Sequence, residues 1–303
     1  MIRHFTNRLK SSFRRQRSAQ HDGSTDWPTP SQDSFRQSQS GLVVHGLHKS
    51  ATMFLYKFFD ELCEALDIPL YSIHKPAPYR ELSGDAPDEA FVLCPIRSFD
   101  APPLDSLTQP PEQRIHRLFQ IRDPRDLLVS EYFSVGWRHT TEGWSEEELQ
   151  RREQIRALSL DEYVIAEPDI SKYPLLGRYQ PLLTRLREGK HDDETTVAKY
   201  ETMVTEFSTW LQVVLRTIQI DSEFAANRAF VRFIESRYRH EFVVDPSEHG
   251  HRRNVTPGDH REKLLPATIE ELNRRFEAVL STCLLYTSPS PRDQRGSRMP
   301  SSA

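Results

Sequence analysis

Cysteine is scarce in this chain, which has three among its 303 residues, at positions 63, 94 and 283. An odd number of cysteines at unrelated spacings gives neither a disulfide framework nor a metal-binding cluster. Long apolar runs are missing too, because no stretch reaches the roughly 18 to 20 apolar residues that cross a bilayer. We therefore expect a protein of a reducing, cytoplasmic setting with no transmembrane segment.

A large excess of charge is also absent, because the formal net charge is −4 at pH 7. Without a long-range positive field, the molecule as a whole has no electrostatic reason to bind nucleic acid or a membrane surface. Any anion-binding site must therefore be local.

The two ends of the chain differ from its middle. Residues 1–40 are rich in Arg, Ser and Gln and poor in large apolar residues, so we predict a disordered basic leader. A basic amphipathic helix within residues 2–15, on a membrane or a targeting receptor, is the alternative. Residues 283–303 begin with CLLYTSPSPRD, which is typical of a translated sequencing adapter, so we predict a non-native tail. The predicted domain is residues 41–282.

Between these ends, short apolar runs alternate with stretches of helical periodicity. This alternation is typical of βαβ units, so we predict a single α/β domain with a mostly parallel sheet flanked by helices. The charged residues 138–193 are predicted to form a helical insertion near the site. Predicted strands are residues 42–45, 91–95, 117–121 and 196–200, and predicted helices are residues 52–66, 124–135, 206–219 and 222–237.

The first chemical signal is the segment GLHKSAT, between a predicted strand and a predicted helix. Backbone N–H groups and the dipole at a helix start favour an anion, and Lys49 with the hydroxyls of Ser50 and Thr52 would complete a phosphate cradle. The segment is not a Walker A box, which needs Gly-Lys-Ser/Thr, because His48 precedes Lys49. Taken alone, it also fits a plain strand-to-helix turn.

The second signal is the segment RDPRDLLVS, which starts at Arg122. Arg122 ends a predicted strand, where ligands of open α/β sheets bind, and Ser130 lies about two helical turns further on. A guanidinium fork and a hydroxyl can converge there on one phosphate. Asp123 suits the N-cap of the predicted helix and Pro124 its first turn. The alternative is an arginine paired with Asp126 and a serine on a solvated face.

Together these segments resemble the sulfotransferases that use 3′-phosphoadenosine 5′-phosphosulfate (PAPS), of the cytosolic type and its bacterial relatives. HKSATMF is similar to the family's 5′-phosphosulfate loop PKSGTTW, and IRDPRDLLVSEYFS is similar to its 3′-phosphate motif. KYETM, at residues 199–203, is similar to the YEDL/M segment, and RNVTPGD, at residues 253–259, is similar to the RKGxxGDW loop. The motifs stand in family order across residues 41–282.

The resemblance implies a P-loop-like sulfotransferase fold and sulfuryl transfer from PAPS to a hydroxyl or amine, with 3′,5′-bisphosphoadenosine (PAP) as product and no metal. Lys49 would stabilise the leaving 5′-phosphate. Arg122, Ser130 and Arg253 would bind the 3′-phosphate, and the rings of Phe54 and Tyr200 would bracket adenine. The implied cosubstrate-binding residues are His48, Lys49, Ser50, Ala51, Thr52, Met53, Phe54, Arg122, Ser130, Tyr200, Arg252, Arg253 and Asn254.

The sequence departs from the family pattern in both phosphate motifs. Ala51 and Met53 replace a glycine and a threonine, so one hydroxyl contact to the 5′-phosphate is missing. Asn254 and Val255 replace a lysine and a glycine, and Arg252 is the cation that can substitute. We expect these changes to alter the affinity for PAPS and to preserve the roles of the two phosphate motifs.

The largest departure concerns the general base. The family carries a histidine after the strand that corresponds to residues 91–95, and this chain has none there. By position, His74 is the best substitute, and His45 and His48, which flank the first segment, are weaker candidates. Asp or Glu is a further alternative.

Two other functional classes stay open. A P-loop kinase is suggested by the apolar run at residues 118–121, which ends near Asp123 like a metal-binding strand, although Pro124 counts against it. A nucleotide-binding protein without activity is suggested by the missing histidine. The sequence does not distinguish a small-molecule, sugar, lipid or peptide acceptor, and it leaves homodimerisation open.

Overall fold

The computed structural model describes residues 40–72, 89–99, 114–138, 141–188, 195–220, 227–239 and 255–282. The strands in these ranges are β1 Gly41–Gly46, β2 Leu70–Tyr71, β3 Phe91–Ile96, β4 Ile115–Ile121 and β5 Thr195–Lys199. The helices are α1 Thr52–Leu66, α2 Pro124–Phe133, α3 Glu146–Arg156, α4 Leu160–Ile170, α5 Leu175–Arg187, α6 Tyr200–Thr205, α7 Phe207–Thr217, α8 Arg228–Tyr238, α9 Asp259–Lys263, α10 Pro266–Arg275 and α11 Glu277–Thr282. A π-helical turn, Ser134–Arg138, follows α2.

The described strands form one sheet in the order β2-β3-β1-β4-β5, and every pairing is parallel. β1 lies between β3 and β4, and all of its residues are buried. In a parallel sheet the carboxyl ends of all strands lie at one edge. The residues that follow β1, β4 and β5 therefore meet at that edge. The predicted α/β class with a mostly parallel sheet flanked by helices is confirmed.

Successive residues of a strand point to opposite faces of the sheet, and here the residues on each face are apolar. Both faces are therefore covered by helices. On β4, Leu118 belongs to the buried layer formed by α1, α7 and α8. Phe119 and Ile121 belong to the opposite layer, which contains α2, α4, α5, α10 and α11. The range 138–193, for which a helical insertion was predicted, contains the helices α3, α4 and α5. Along the described ranges, every helix is too short or too polar to cross a bilayer.

Two element boundaries near the site differ from the predictions. Tyr200 was expected as a strand residue, but it starts α6, because its hydroxyl donates to the Val255 carbonyl oxygen and its ring lies under Arg122. These tertiary contacts outweigh the β-propensity of tyrosine. The predicted helix 124–135 ends at Phe133, and the chain continues as the π-helical turn.

That π-helical turn is stabilised from α3. The carbonyl oxygen of Gly136 accepts hydrogen bonds from the Nε atoms of Arg152 and Arg156, at 3.0 and 2.7 Å.

The helix predicted over residues 222–237 is observed as α8. The predicted leader, the predicted tail and residues 221–226 lie outside the described residues, except for Ser40, which precedes β1.

Candidate functional site

The first candidate segment folds as a tight turn between β1 and α1. The backbone N–H and the hydroxyl of Ser50 both donate to the Leu47 carbonyl oxygen, at 3.0 and 2.6 Å. Lys49 and Ala51 have φ angles of 75° and 66°, a left-handed conformation that costs a residue with a Cβ about 1 kcal/mol. Among the described residues, no side chain caps α1, and its first turn carries no acidic residue. Such a helix start favours an anion.

Lys49 reaches from this turn to the end of α2. Its ammonium Nζ donates to Ser134 Oγ over 2.8 Å, although the two residues are 85 positions apart. Ser134 is the first residue of the π-helical turn, and such turns are frequent at functional sites. The contact places the half-buried lysine beside the helix that carries Ser130.

Arg122 lies directly after β4, at the same edge of the sheet. It is 4% exposed, and its Nη1 donates to the Lys49 carbonyl oxygen over 2.8 Å. Its guanidinium carbon lies 4.2 Å from the centre of the Tyr200 ring. Its Nε is buried without a hydrogen-bond partner among the described residues. The guanidinium therefore joins the first and third motifs, and its Nε keeps a hydrogen-bond donor that nothing among the described residues satisfies.

The backbone around Arg122 is fixed from three other elements. The Tyr179 hydroxyl of α5 donates to the Arg122 carbonyl oxygen. The backbone N–H of Asp123 donates to Glu201 Oε1 over 2.8 Å. The Asp123 carboxylate caps α2 by accepting the N–H of Arg125 at 2.9 Å, and Pro124 occupies the first turn, so both predictions for this helix start are confirmed.

Among the described residues, no arginine pairs with Asp126, which was the alternative. Arg125 pairs with Asp123 at 2.6 Å, whereas Asp126 binds donors at residues 258–260. Asp126 accepts the N–H of Gly258 at 2.6 Å, and the N–H and Nδ1–H of His260 at 2.9 and 2.6 Å. Burial alone would raise the pKa of Asp126, but these bonds and the His260 charge lower the pKa to about 2.

Phe54 lies in a group of aromatic side chains on the same side as α1, α7 and α8. Its ring centre is 6.0 Å from that of Phe58 and 5.8 Å from those of Trp210 and Tyr238. Phe54 is half-buried, whereas the neighbouring Met53 is 55% exposed. One edge of the Phe54 ring is thus held by the core.

The helical insertion is attached to α2 beside Ser130. Glu131 is buried and accepts hydrogen bonds from Arg151 of α3 and Arg178 of α5, both at 3.0 Å. Burial would raise the pKa of Glu131, but the charges of Arg178 and Arg151 lower it. Ser130 itself is half-buried on α2.

Other candidate residues have less direct positions. The Ser50 hydroxyl is turned into the loop, Thr52 is 5% exposed, and His48 is half-buried. His45 is fully buried, with Nδ1 2.8 Å from the Ser98 carbonyl oxygen, and burial lowers its pKa to about 4. The predicted residues His74, Arg252, Arg253 and Asn254 lie outside the described residues.

Glu201 is a polar group of the site that the sequence motif did not single out. Its Oε1 accepts the Asp123 N–H, and its Oε2 is buried without a partner among the described residues. Burial raises the pKa of Glu201 to about 7, against the lowering effect of the Asp123 N–H. The only sequence signal was its place after Tyr200 in the third motif, since the partner lies 78 positions away.

These observations define an α/β protein with a lysine and an arginine at the carboxyl edge of a parallel sheet. No protein-family model matches the sequence, and no curated protein matches it. The solved structures similar to it include mouse sulfotransferase SULT7A1 complexed with PAP, with a TM-score of 0.49 and 14% identity over 87% of this chain and 90% of that chain. Retinol dehydratase in complex with androsterone and inactive cofactor PAP is similar with a TM-score of 0.44 and 11% identity, over 83% of each chain.

Proposed function

We propose that this chain is a sulfotransferase that transfers a sulfuryl group from PAPS to a hydroxyl or amine acceptor. The observation that carries the proposal is the position of the Arg122 guanidinium. It bonds the phosphate-loop backbone at Lys49, lies on the Tyr200 ring, and keeps a buried Nε without a partner among the described residues. The first two motifs, which meet through Lys49 and Arg122, 73 positions apart, thus share one site. A doubly phosphorylated adenosine requires such a site, because its two phosphates need separate cations.

The residues divide the work between two phosphates. The helix start after Ala51 and the Thr52 hydroxyl would hold the 5′-phosphate. Ser50 would shape the loop, because its backbone N–H and its hydroxyl both bond the Leu47 carbonyl oxygen. Arg122 and Ser130, with the proposed Arg253, would bind the 3′-phosphate and so select PAPS over ATP.

Lys49 would act on the reacting atoms. The acceptor oxygen or nitrogen forms a bond to sulfur while the bond from sulfur to the bridging oxygen of the 5′-phosphate breaks. Lys49 would leave Ser134 and donate to that bridging oxygen, where negative charge gathers. His74 remains the proposed base that takes the acceptor proton. His45 suits this role less, because it is fully buried and its pKa is about 4.

We keep the expected cytoplasmic setting as part of the proposal, because three cysteines at unrelated spacings give no disulfide framework. Acceptor class and homodimerisation stay open within the proposal.

The test is a transfer assay with sulfur-labelled PAPS, the purified chain and a panel of phenols, alcohols, amines, sugars and tyrosine peptides. We expect labelled product in the presence of EDTA, because cationic side chains neutralise the leaving group. Phosphate transfer from ATP that EDTA stops would instead indicate a kinase. Tight PAP binding without turnover on any acceptor would indicate an inactive nucleotide-binding protein.

A further inference from the structure

Asp126 is a buried carboxylate that no step of the proposed transfer uses. It lies in the first turn of α2 and is 1% exposed, four residues after Arg122. Its two oxygens accept three hydrogen bonds, all from Gly258 and His260. A buried charge is tolerated when hydrogen bonds compensate it in this way.

The donors belong to a short stretch, residues 255–260, which we name the clasp segment. The first residue of this segment is also held by a hydrogen bond, because the Tyr200 hydroxyl donates to the Val255 carbonyl oxygen over 2.8 Å. Gly258 has a φ of 96°, which a residue with a side chain adopts only with strain. The clasp segment is therefore held at one end by Tyr200 and at the other by α2, which begins two residues after Arg122.

The His260 ring contributes a side-chain bond that the backbone alone cannot supply. It is 1% exposed, and its Nδ1 donates to Asp126 because an ionised carboxylate only accepts. Its Nε2 is buried without a partner among the described residues. In the sequence, Arg253, the proposed 3′-phosphate ligand, stands two residues before the clasp segment.

We propose that Asp126 and His260 are positioning residues that hold the clasp segment in the shape that recognises the 3′-phosphate. This inference rests on the proposed function, since it assigns these residues to the 3′ end of the same ligand. They act through the backbone of the clasp segment and do not contact the reacting atoms.

The experiment compares PAP with adenosine 5′-monophosphate, which lacks the 3′-phosphate, by calorimetric titration of the full chain. For Asp126→Asn we expect PAP affinity to fall about 30-fold, because the amide cannot accept all three bonds, while affinity for the monophosphate changes less than about twofold. His260→Ala removes only the ring bond and should show a smaller loss of the same kind, and His260→Gln, which keeps an N–H donor, should recover part of it.

Asp161→Asn is the matched control, because the Asp161 carboxylate also accepts a backbone N–H, that of Leu265, which lies five residues beyond the clasp segment. We expect no change in either affinity. Equal losses for both ligands, or none, in the Asp126 and His260 variants would overturn the inference. Should Asp126→Asn not fold, the two His260 variants decide. A wild-type chain that binds both ligands equally would overturn the proposed function instead, because it would have no 3′-phosphate site.

Discussion

The loop after β1, at residues 46–52, and the Arg122 centre lie at one edge of the sheet but are built in opposite ways. The loop after β1 closes on itself through the two bonds from Ser50 to Leu47. Arg122 is held by contacts from distant parts of the chain. It bonds Lys49 of the loop, 73 residues away, and its carbonyl oxygen accepts from Tyr179 of α5, 57 residues away. The next residue, Asp123, bonds Glu201 of α6, 78 residues away. The bonds that close the loop are therefore local, whereas the contacts that hold the arginine come from distant parts of the chain.

The difference suggests a division of roles. In the proposed mechanism, the loop carries the lysine that acts on the reacting bond, and the half-buried Lys49 lies on a short turn. The Arg122 guanidinium is preorganised, because the fold fixes both its side chain and its backbone before a ligand arrives. Variants in the loop should then change turnover, and variants around Arg122 should change ligand affinity.

The largest effect is expected for Lys49→Ala. Removal of a donor to the bridging oxygen should lower turnover about 100- to 1,000-fold, while PAP affinity falls much less. Steady-state rates with labelled PAPS and PAP titrations separate the two quantities. Lys57→Ala, at an exposed position on α1, is the control and should match the wild type. Unchanged acceptor sulfation in Lys49→Ala would contradict the role of the loop.

Arg122→Lys should show the opposite pattern. Lysine keeps the charge but loses the planar fork, so a single ammonium must replace contacts that the guanidinium makes from separate nitrogens. PAP affinity should therefore fall about 30-fold. Turnover at saturating PAPS should fall less. Arg114→Lys, at the exposed opposite end of β4, is the matched control. A variant with lower turnover and unchanged affinity would break the comparison.

A smaller effect is expected from Glu201. Because burial raises its pKa to about 7, the carboxyl is largely neutral at pH 6.5 and gains its negative charge as the pH rises to 8. A charge close to Arg122 repels an anionic ligand, so PAP affinity should fall about threefold to tenfold over that interval. Glu201→Gln should weaken this dependence, and Glu206→Gln, at an exposed position, should not. An equally steep pH profile in Glu201→Gln would exclude Glu201 as the cause.

The same contrast explains how far the sequence could predict this molecule. Periodicity was sufficient for α1 and the parallel sheet, because burial on two faces leaves a regular apolar pattern. The cap at Asp123 was predictable, since its partner is two residues away. The contacts of Lys49 with Ser134 and of Asp126 with His260 were not, because they join residues 85 and 134 positions apart. Tyr200 was misassigned to a strand because its partners also lie far along the chain.

The smallest expected effect concerns the loop alone. Ala51 has a φ of 66° and a ψ of 34°, so replacement by glycine should relieve strain of about 1 kcal/mol, partly offset by the greater freedom of glycine in the unfolded chain. We expect Ala51→Gly to raise the free energy of unfolding by about 0.5 kcal/mol in urea titrations. Ala157→Gly, at an exposed residue with a φ of −75°, should lower it by a similar amount. If Ala51→Gly destabilises the chain as well, the loop owes its shape to contacts elsewhere in the fold, and its difference from the Arg122 centre disappears.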